Sequence, residues 1–257
     1  MQRIVLANWK LHPTTPKQAE KLFLDTYAAA GKIKGVEVVV CPPPLLVGAV
    51  AAARGAKKSI ALGAQDAFSE HAGAHTGESS CKTLKAYGVS HVILGHSERR
   101  ARGETDEQIA EKVAAVLRVP ATTAVVCIGE TERTEEGEYY HTLRNQLLSV
   151  LGSVKRTQLS RIVVAYEPVW AIGKSAADAL SPESLQETVL FLKKILIETY
   201  GRTPASRIRI VYGGSVKVDN AKACVEQGGA DGLLVGGASL QPKMFADIVR
   251  SVVPVVK

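Results

Sequence analysis

The feature that most constrains this chain is a regular alternation of short apolar runs with longer amphipathic stretches. Apolar runs rich in β-branched residues predict buried strands, and the stretches between them predict covering helices. The predicted strands are residues 4–9, 36–41, 60–65, 91–94, 124–128, 162–166, 208–211 and 232–235. The predicted helices are residues 16–29, 45–54, 106–117, 139–151, 182–200, 218–227 and 242–252. Alternation of this kind is typical of a parallel sheet.

Such a sheet is either open or closed into a barrel. An open dinucleotide-binding sheet should carry Gly-x-Gly-x-x-Gly after an early strand, and the chain has no such motif. About eight strand–helix units within 257 residues, with no Pro/Gly/Ser-rich linker, favour the α/β class and one (β/α)8 barrel domain over residues 1–257. In that fold the catalytic residues lie at the C-terminal ends of the strands.

Composition narrows the choice of partners. The net charge of +7 suits an anionic substrate, and the densest basic cluster, residues 99–102, is too short for a nucleic-acid arm. The four cysteines lie far apart without a Cys-x-x-Cys pair, which indicates a reducing compartment. The first residues run directly into a strand, and no apolar run approaches the roughly 18 residues that span a bilayer. We expect a soluble cytoplasmic protein without nucleic-acid or membrane partners.

A carboxylate directly follows the predicted sixth strand. Glu167 ends this apolar run, where an unpaired buried charge would be costly. Residues 168–173, the lid segment, then place four apolar side chains between Pro168 and Gly173. This order suggests a base beneath a loop that excludes water. Taken alone, the segment fits a structural carboxylate under a packed loop slightly better.

Two more strand ends carry groups suited to catalysis. Lys10 could attract a phosphorylated substrate and polarise an oxygen, although a solvated surface lysine is the simpler reading. His96 precedes a short helical turn whose dipole disfavours imidazolium, so it could donate an N–H to a carbonyl oxygen or be a hydrogen-bonded structural residue. Glu98 could support Lys10 or act as a second acid. Cys127 has no base beside it in sequence and is predicted to pack behind the site.

Glycine-rich turns follow the last two predicted strands, at residues 212–215 and 235–239. One Gly-Gly pair indicates only a turn. Two such pairs after consecutive late strands of a barrel predict a phosphate cradle built from backbone N–H groups.

Six segments together resemble the triosephosphate isomerase family, in order and in spacing. They are residues 8–10, 95–100, 127–130, 166–173, 212–215 and 234–238, and the resemblance extends from Arg3 to about Val252. It implies a TIM barrel that interconverts dihydroxyacetone phosphate and D-glyceraldehyde 3-phosphate without a cofactor or metal. The family is itself a standard example of a glutamate base, a neutral histidine electrophile and a closing loop.

The resemblance also implies a role for each matching residue. Glu167 would be the base and His96 the electrophile, while Lys10 stabilises negative charge and Asn8 binds the substrate. Glu98 would organise Lys10 and the base. Backbone N–H groups of Gly173, Ser215, Gly236 and Gly237 would hold the phosphate. Thr76, in a loop similar to the family's dimer loop, would reach the partner's Asn8 in a homodimer.

The chain departs from the family pattern in two places. Gly173 is followed directly by Lys174-Ser175-Ala176, where the family has Gly-Thr-Gly-Lys-Thr-Ala, so we expect different latch contacts when the lid closes. Residues 100–104 are one residue short and lack a phenylalanine, which should affect stability more than chemistry.

Two other functions compete with the triose isomerase. An aldose–ketose isomerase for a tetrose phosphate could use the same base and phosphate cradle. A non-catalytic phosphate-binding protein on this fold should have lost the base, the electrophile or the lysine, and all three are present.

Overall fold

The computed structural model describes residues 1–133, 137–173 and 180–254. Eight parallel strands close into one barrel in sequence order, since β1 pairs with both β2 and β8. The strands are β1 (Arg3–Asn8), β2 (Val36–Cys41), β3 (Ile60–Ala64), β4 (Val89–Leu94), β5 (Thr123–Ile128), β6 (Ile162–Tyr166), β7 (Arg209–Tyr212) and β8 (Gly232–Val235). The predicted (β/α)8 barrel is confirmed.

Helices surround the barrel. They are α1 (Pro16–Ala30), α2 (Val47–Arg54), α3 (Cys81–Ala86), α4 (Ser97–Arg100), α5 (Asp106–Arg118), α6 (Tyr139–Leu151), α7 (Pro182–Tyr200), α8 (Arg202–Ala205), α9 (Val218–Glu226) and α10 (Pro242–Ser251). Thr15 and Ser181 cap α1 and α7, and each is followed by proline in the first turn. Short 3₁₀ turns occur at Pro44–Leu46, Arg156–Arg161, Val169–Ala171 and Gly237–Leu240.

The barrel has two hydrophobic layers because side chains along each strand alternate between its faces. One face fills the interior, with Leu6, Val39, Ile93, Val163 and Val211 among its buried residues. The opposite face packs beneath the helices in a larger cluster. Both faces of every strand are therefore covered, which explains the nearly continuous apolar runs in the sequence.

Polar side chains occupy the interior at the N-terminal ends of three strands. Glu37, His91 and Arg209 each lie two residues before an interior residue of β2, β4 or β7 and therefore share its face. His91 Nε2 lies 3.2 Å from Glu37 Oε1, and Arg209 Nη1 lies 2.5 Å from Glu37 Oε2. We call these three residues the floor cluster, since the C-terminal ends of the strands form the opposite opening.

Most predicted elements are present, with their ends shifted by one or two residues. Strand β4 begins at Val89, two residues before the predicted start, and residues 44–46 form a 3₁₀ turn ahead of α2. The short helices α3 and α8 were not predicted, because each spans fewer than two turns and carries little periodic signal. In the part of the chain described here, no helix is both long and apolar enough to cross a membrane.

Candidate active site

The C-terminal ends of the strands surround a cavity of about 720 Å³. Eight of the predicted site residues line it, namely Asn8, Lys10, His96, Glu167, Gly173, Ser215, Gly236 and Gly237. Glu98 lies behind the cavity and contacts it through Lys10. Thr76 is exposed in the loop after β3, away from the lining.

Glu167 is positioned by the backbone at the end of β6. Its N–H donates to the Ile128 carbonyl at 2.8 Å, which extends the β5–β6 ladder by one step and leaves the residue only 1 % exposed. Gly129 and Gly213 make room for it. A Cβ on Gly129 would overlap the Glu167 backbone, and one on Gly213 would lie 2.9 Å from Glu167 Cγ.

The two carboxylate oxygens of Glu167 have different surroundings. Oε2 accepts a hydrogen bond from the Ser97 N–H at 2.9 Å. Oε1 lies 3.2 Å from His96 Nε2 and, among the described residues, is buried without an aligned hydrogen-bond donor. A buried carboxylate oxygen with an uncommitted lone pair is costly to maintain and is well suited to accept a proton.

The tautomer of His96 follows from its position as the N-cap of α4. Its Nδ1 accepts a hydrogen bond from the Glu98 N–H at 3.2 Å, so Nδ1 carries no proton. The neutral ring then carries its proton on Nε2, which faces the cavity beside Glu167. His96 is 7 % exposed and is positioned to donate an N–H to a substrate oxygen.

Lys10 has an unusual backbone conformation just after β1. Its φ of +53° is in the left-handed region, and its N–H donates to Asn8 Oδ1 at 3.0 Å. Its ammonium lies 2.5 Å from Glu98 Oε1. Partial burial raises the pKa of Glu98, but the hydrogen bond and charge of Lys10 outweigh burial and leave that pKa below its ordinary value.

Lys10 and Glu167 are held by different groups. Glu98 contacts Lys10, as expected, and its Oε2 lies 3.8 Å from His96 Nδ1. The hydrogen bond to Glu167 comes instead from the Ser97 backbone, a group that the sequence could not single out. Arg99 pairs with Asp66 and Glu104, which gives it a structural role.

The cysteine behind the base is protonated. Burial is the main cause that raises the pKa of Cys127 well above its ordinary value, and the neighbouring Glu167 carboxylate raises it further. A neutral buried thiol is not a nucleophile. The packing role predicted for Cys127 agrees with this environment.

The lid segment is anchored by a glutamate to which the sequence analysis gave no role. Tyr166 Oη and Trp170 Nε1 donate to Glu130 Oε1 at 2.8 and 2.9 Å. Glu130, which is 2 % exposed, lies two residues beyond β5. A glutamate just beyond an apolar strand, as at Glu167, is the sequence signal that indicates a role for Glu130. The departure at Lys174-Ser175-Ala176 lies outside the described residues.

The glycine turns after the neighbouring strands β7 and β8 both line the cavity. They contribute Gly213, Gly214 and Ser215 from the first turn and Gly236 and Gly237 from the second. Gly237 begins a 3₁₀ turn, and a Cβ on Gly236 would lie 3.5 Å from Lys10 Cε. Backbone N–H groups at the start of a helical turn, beside a lysine, suit a phosphate group. Within residues 1–133, 137–173 and 180–254, no cluster of His, Cys, Asp or Glu has a metal-binding arrangement.

Comparison with known proteins places the chain in one family. The sequence model described as triosephosphate isomerase matches residues 3–252. The triosephosphate isomerase of Citrifermentans bemidjiense is 42 % identical over 249 residues, which cover 96 % of this chain and 97 % of the relative. The enzyme of Solibacter usitatus is 42 % identical over 254 residues, covering 97 % and 100 %. That of Symbiobacterium thermophilum is 42 % identical over 247 residues, covering 95 % and 94 %. This chain belongs to the triosephosphate isomerase family.

Proposed function

We propose that this chain, as a single catalytic domain, interconverts dihydroxyacetone phosphate and D-glyceraldehyde 3-phosphate through an enediolate. The observation that carries the proposal is the pairing of Glu167 and His96 at the cavity wall. Oε1 of Glu167, a buried carboxylate oxygen without an aligned donor among the described residues, lies 3.2 Å from Nε2 of His96, whose Nδ1 accepts the Glu98 N–H. One group can accept a proton from carbon while the other donates a hydrogen bond to oxygen.

The reaction needs one proton to move between adjacent carbons. Glu167 removes a proton from C1 of dihydroxyacetone phosphate, and the electron pair forms the C1–C2 double bond as the carbonyl oxygen becomes negative. His96 and Lys10 stabilise this oxygen, one through Nε2–H and the other through its ammonium charge. His96 passes the O1 proton to O2, and Glu167 returns its proton to C2, which leaves an aldehyde at C1 and a hydroxyl at C2 and restores both residues.

Phosphate binding and water exclusion complete the proposal. Gly173, Ser215, Gly236 and Gly237 would donate backbone N–H groups to the phosphate, and Asn8 would contact the substrate. The lid segment would close over the cavity, since Ile172 and Gly173 line it. Closure excludes water and protects the enediolate from side reactions. No cofactor or metal is required by these steps, and that expectation stays a prediction.

A homodimer is also part of the proposal. A second cavity, of about 230 Å³, lies behind the catalytic residues and is lined by Lys10, Leu11, Pro44 and Glu98 among others. Leu11 is 81 % exposed and Leu45 is 96 % exposed, which are large values for leucine. We infer that the loop carrying Thr76 in one protomer covers this region of its partner and reaches the partner's Asn8. Four buried free cysteines suit a reducing compartment such as the cytoplasm.

A coupled assay tests the proposed reaction. Purified protein should convert glyceraldehyde 3-phosphate, and Glu167→Gln should lower kcat by at least ~10³-fold, within what proton transfer and positioning supply. Assaying a tetrose phosphate in parallel tests the rival isomerase, which the relatives' names do not favour. Turnover of the tetrose alone would overturn the proposal. Sedimentation of the protein at several concentrations tests the dimer.

A further inference from the structure

Gln65, which lines the second cavity but not the 720 Å³ one, contacts the backbone of Lys10. It follows β3 directly and is half-buried. Its Nε2 donates to the Lys10 carbonyl at 2.8 Å and to the Cys41 carbonyl, at the end of β2, at 2.9 Å. One amide group therefore joins the ends of three neighbouring strands at the residue that carries the ammonium.

Lys10 needs such support because its backbone is strained. A non-glycine residue in the left-handed region is strained and persists only where its surroundings hold it. The N–H of Lys10 is held by Asn8 Oδ1, and its carbonyl is held by Gln65. Both ends of the strained residue are fixed, so the direction in which the side chain leaves the backbone is fixed as well.

We propose that Gln65 is a positioning residue that acts through Lys10, holding its backbone so that the ammonium points into the cavity beside Gly236. The inference rests on the proposed function, which gives Lys10 its task of stabilising the enediolate. Without the two N–H donors of Gln65, Lys10 can relax toward an unstrained conformation and its ammonium moves. A displacement of about 1 Å in an active site can lower the rate by about 10²-fold.

A purely structural role would be to tie β1, β2 and β3 together. Gln65→Met separates the two roles, since methionine has the same length and no N–H donors. We expect kcat/KM for glyceraldehyde 3-phosphate to fall about 10- to 100-fold, with kcat accounting for most of the loss. In a Lys10→Met background, Gln65→Met should lower kcat/KM less than about 3-fold, because the ammonium that Gln65 positions is already absent.

Gln146 offers a matched control on the other side of the site. It holds Gly129 by accepting from its N–H at 2.8 Å and donating to its carbonyl at 3.1 Å. Gln146→Met removes a comparable pair of hydrogen bonds away from Lys10. Its effect on kcat/KM should therefore be the same factor in the wild-type and Lys10→Met backgrounds. Midpoints of urea unfolding show whether each variant folds.

A second substitution tests the donors themselves. Gln65→Glu keeps the shape of the side chain but places a carboxylate against two carbonyl oxygens, so at pH 8 it should be less active than Gln65→Met. Toward pH 5 the carboxyl group gains a proton and can donate one hydrogen bond, so its activity relative to wild type should rise.

The possible outcomes distinguish the two proposals. If Lys10→Met lowers kcat/KM for triose phosphate while Gln65→Met matches wild type, the positioning role is overturned and the proposed function stands. An equal loss for Gln65→Met in both backgrounds also overturns the positioning role, in favour of a structural one. No turnover of triose phosphate by the wild type would overturn both proposals.

Discussion

Two pairs of the same residue types lie inside this barrel, one at each end. At the mouth, His96 Nε2 is 3.2 Å from Glu167 Oε1, and in the floor cluster His91 Nε2 is 3.2 Å from Glu37 Oε1. Both histidines are buried, at 7 % and 4 % exposure. The distance between the partners therefore does not separate a candidate base from a structural ion pair.

The neighbours of each carboxylate make the difference. Arg209 binds the second oxygen of Glu37, which makes that carboxylate part of an ion-pair network. The contact with His91 is the largest cause that lowers the pKa of Glu37, burial opposes it, and Arg209 lowers it further, leaving a pKa of about 2. Glu167 has a backbone N–H on Oε2 instead of a guanidinium. The third group is therefore what distinguishes the two pairs, a guanidinium beside Glu37 and a backbone N–H beside Glu167.

The largest expected contrast is between the two glutamates. Glu167→Gln should lower kcat by at least ~10³-fold, since glutamine cannot accept the proton, whereas Glu37→Gln should change kcat less than about 2-fold. Coupled assays of both variants measure the contrast. A comparable loss of activity in Glu37→Gln would contradict the division between mouth and floor.

Substitution of the histidines should likewise lower kcat at the mouth and leave it nearly unchanged at the floor. His96→Gln should lower kcat by about 10²-fold or more, because the Nε2–H donor to the enediolate is replaced by a less well placed amide. His91→Gln should leave kcat within about 2-fold. Steady-state kinetics at saturating substrate measure both, and near-wild-type activity of His96→Gln would remove the histidine from the proposed mechanism.

The arginine that distinguishes the floor should matter for stability alone. Arg209→Met leaves Glu37 without its cation and should lower the free energy of unfolding by about 1.5–3 kcal/mol, the usual range for a hydrogen bond to a charged group. The double variant Arg209→Met/Glu37→Met should recover part of the loss, since no unpaired charge remains. Urea unfolding measures both, and the absence of any recovery would show that packing, not charge, explains the first loss.

The smallest predicted effect is a pH dependence of stability. The folded-state pKa of Glu37 lies below its ordinary value of 4.5, at about 2. Its contribution to stability is therefore fully present above about pH 4.5 and is lost as the pH falls toward 2. Urea midpoints between pH 5 and pH 2 should fall less steeply for Glu37→Gln than for the wild type. Equal changes of the urea midpoint with pH in the two proteins would contradict the lowered pKa of Glu37.

The sequence predicted the barrel and the residues of its mouth because their signals are local. Each strand is a run of apolar residues, and Asn8, His96 and Glu167 stand at the ends of such runs. The Ser97 N–H, Gln65 and the anchor at Glu130 depend on contacts between loops far apart in the chain, which no local pattern records. The floor cluster was missed for another reason. A single polar or charged residue within an apolar strand indicates an exposed position, whereas here Glu37 pairs with Arg209 and contacts His91 inside the barrel.

The anchor of the lid segment also makes this chain a convenient optical reporter. The sequence contains two tryptophans. Trp9 is fully buried beneath the helices, and Trp170 lies in the lid segment with its indole N–H on Glu130. The fluorescence of Trp9 should therefore stay constant while that of Trp170 changes whenever the segment leaves its anchor. A Trp9→Phe variant would carry one tryptophan, in the lid segment, so ligand titrations and stopped-flow traces could follow the lid directly, without any label.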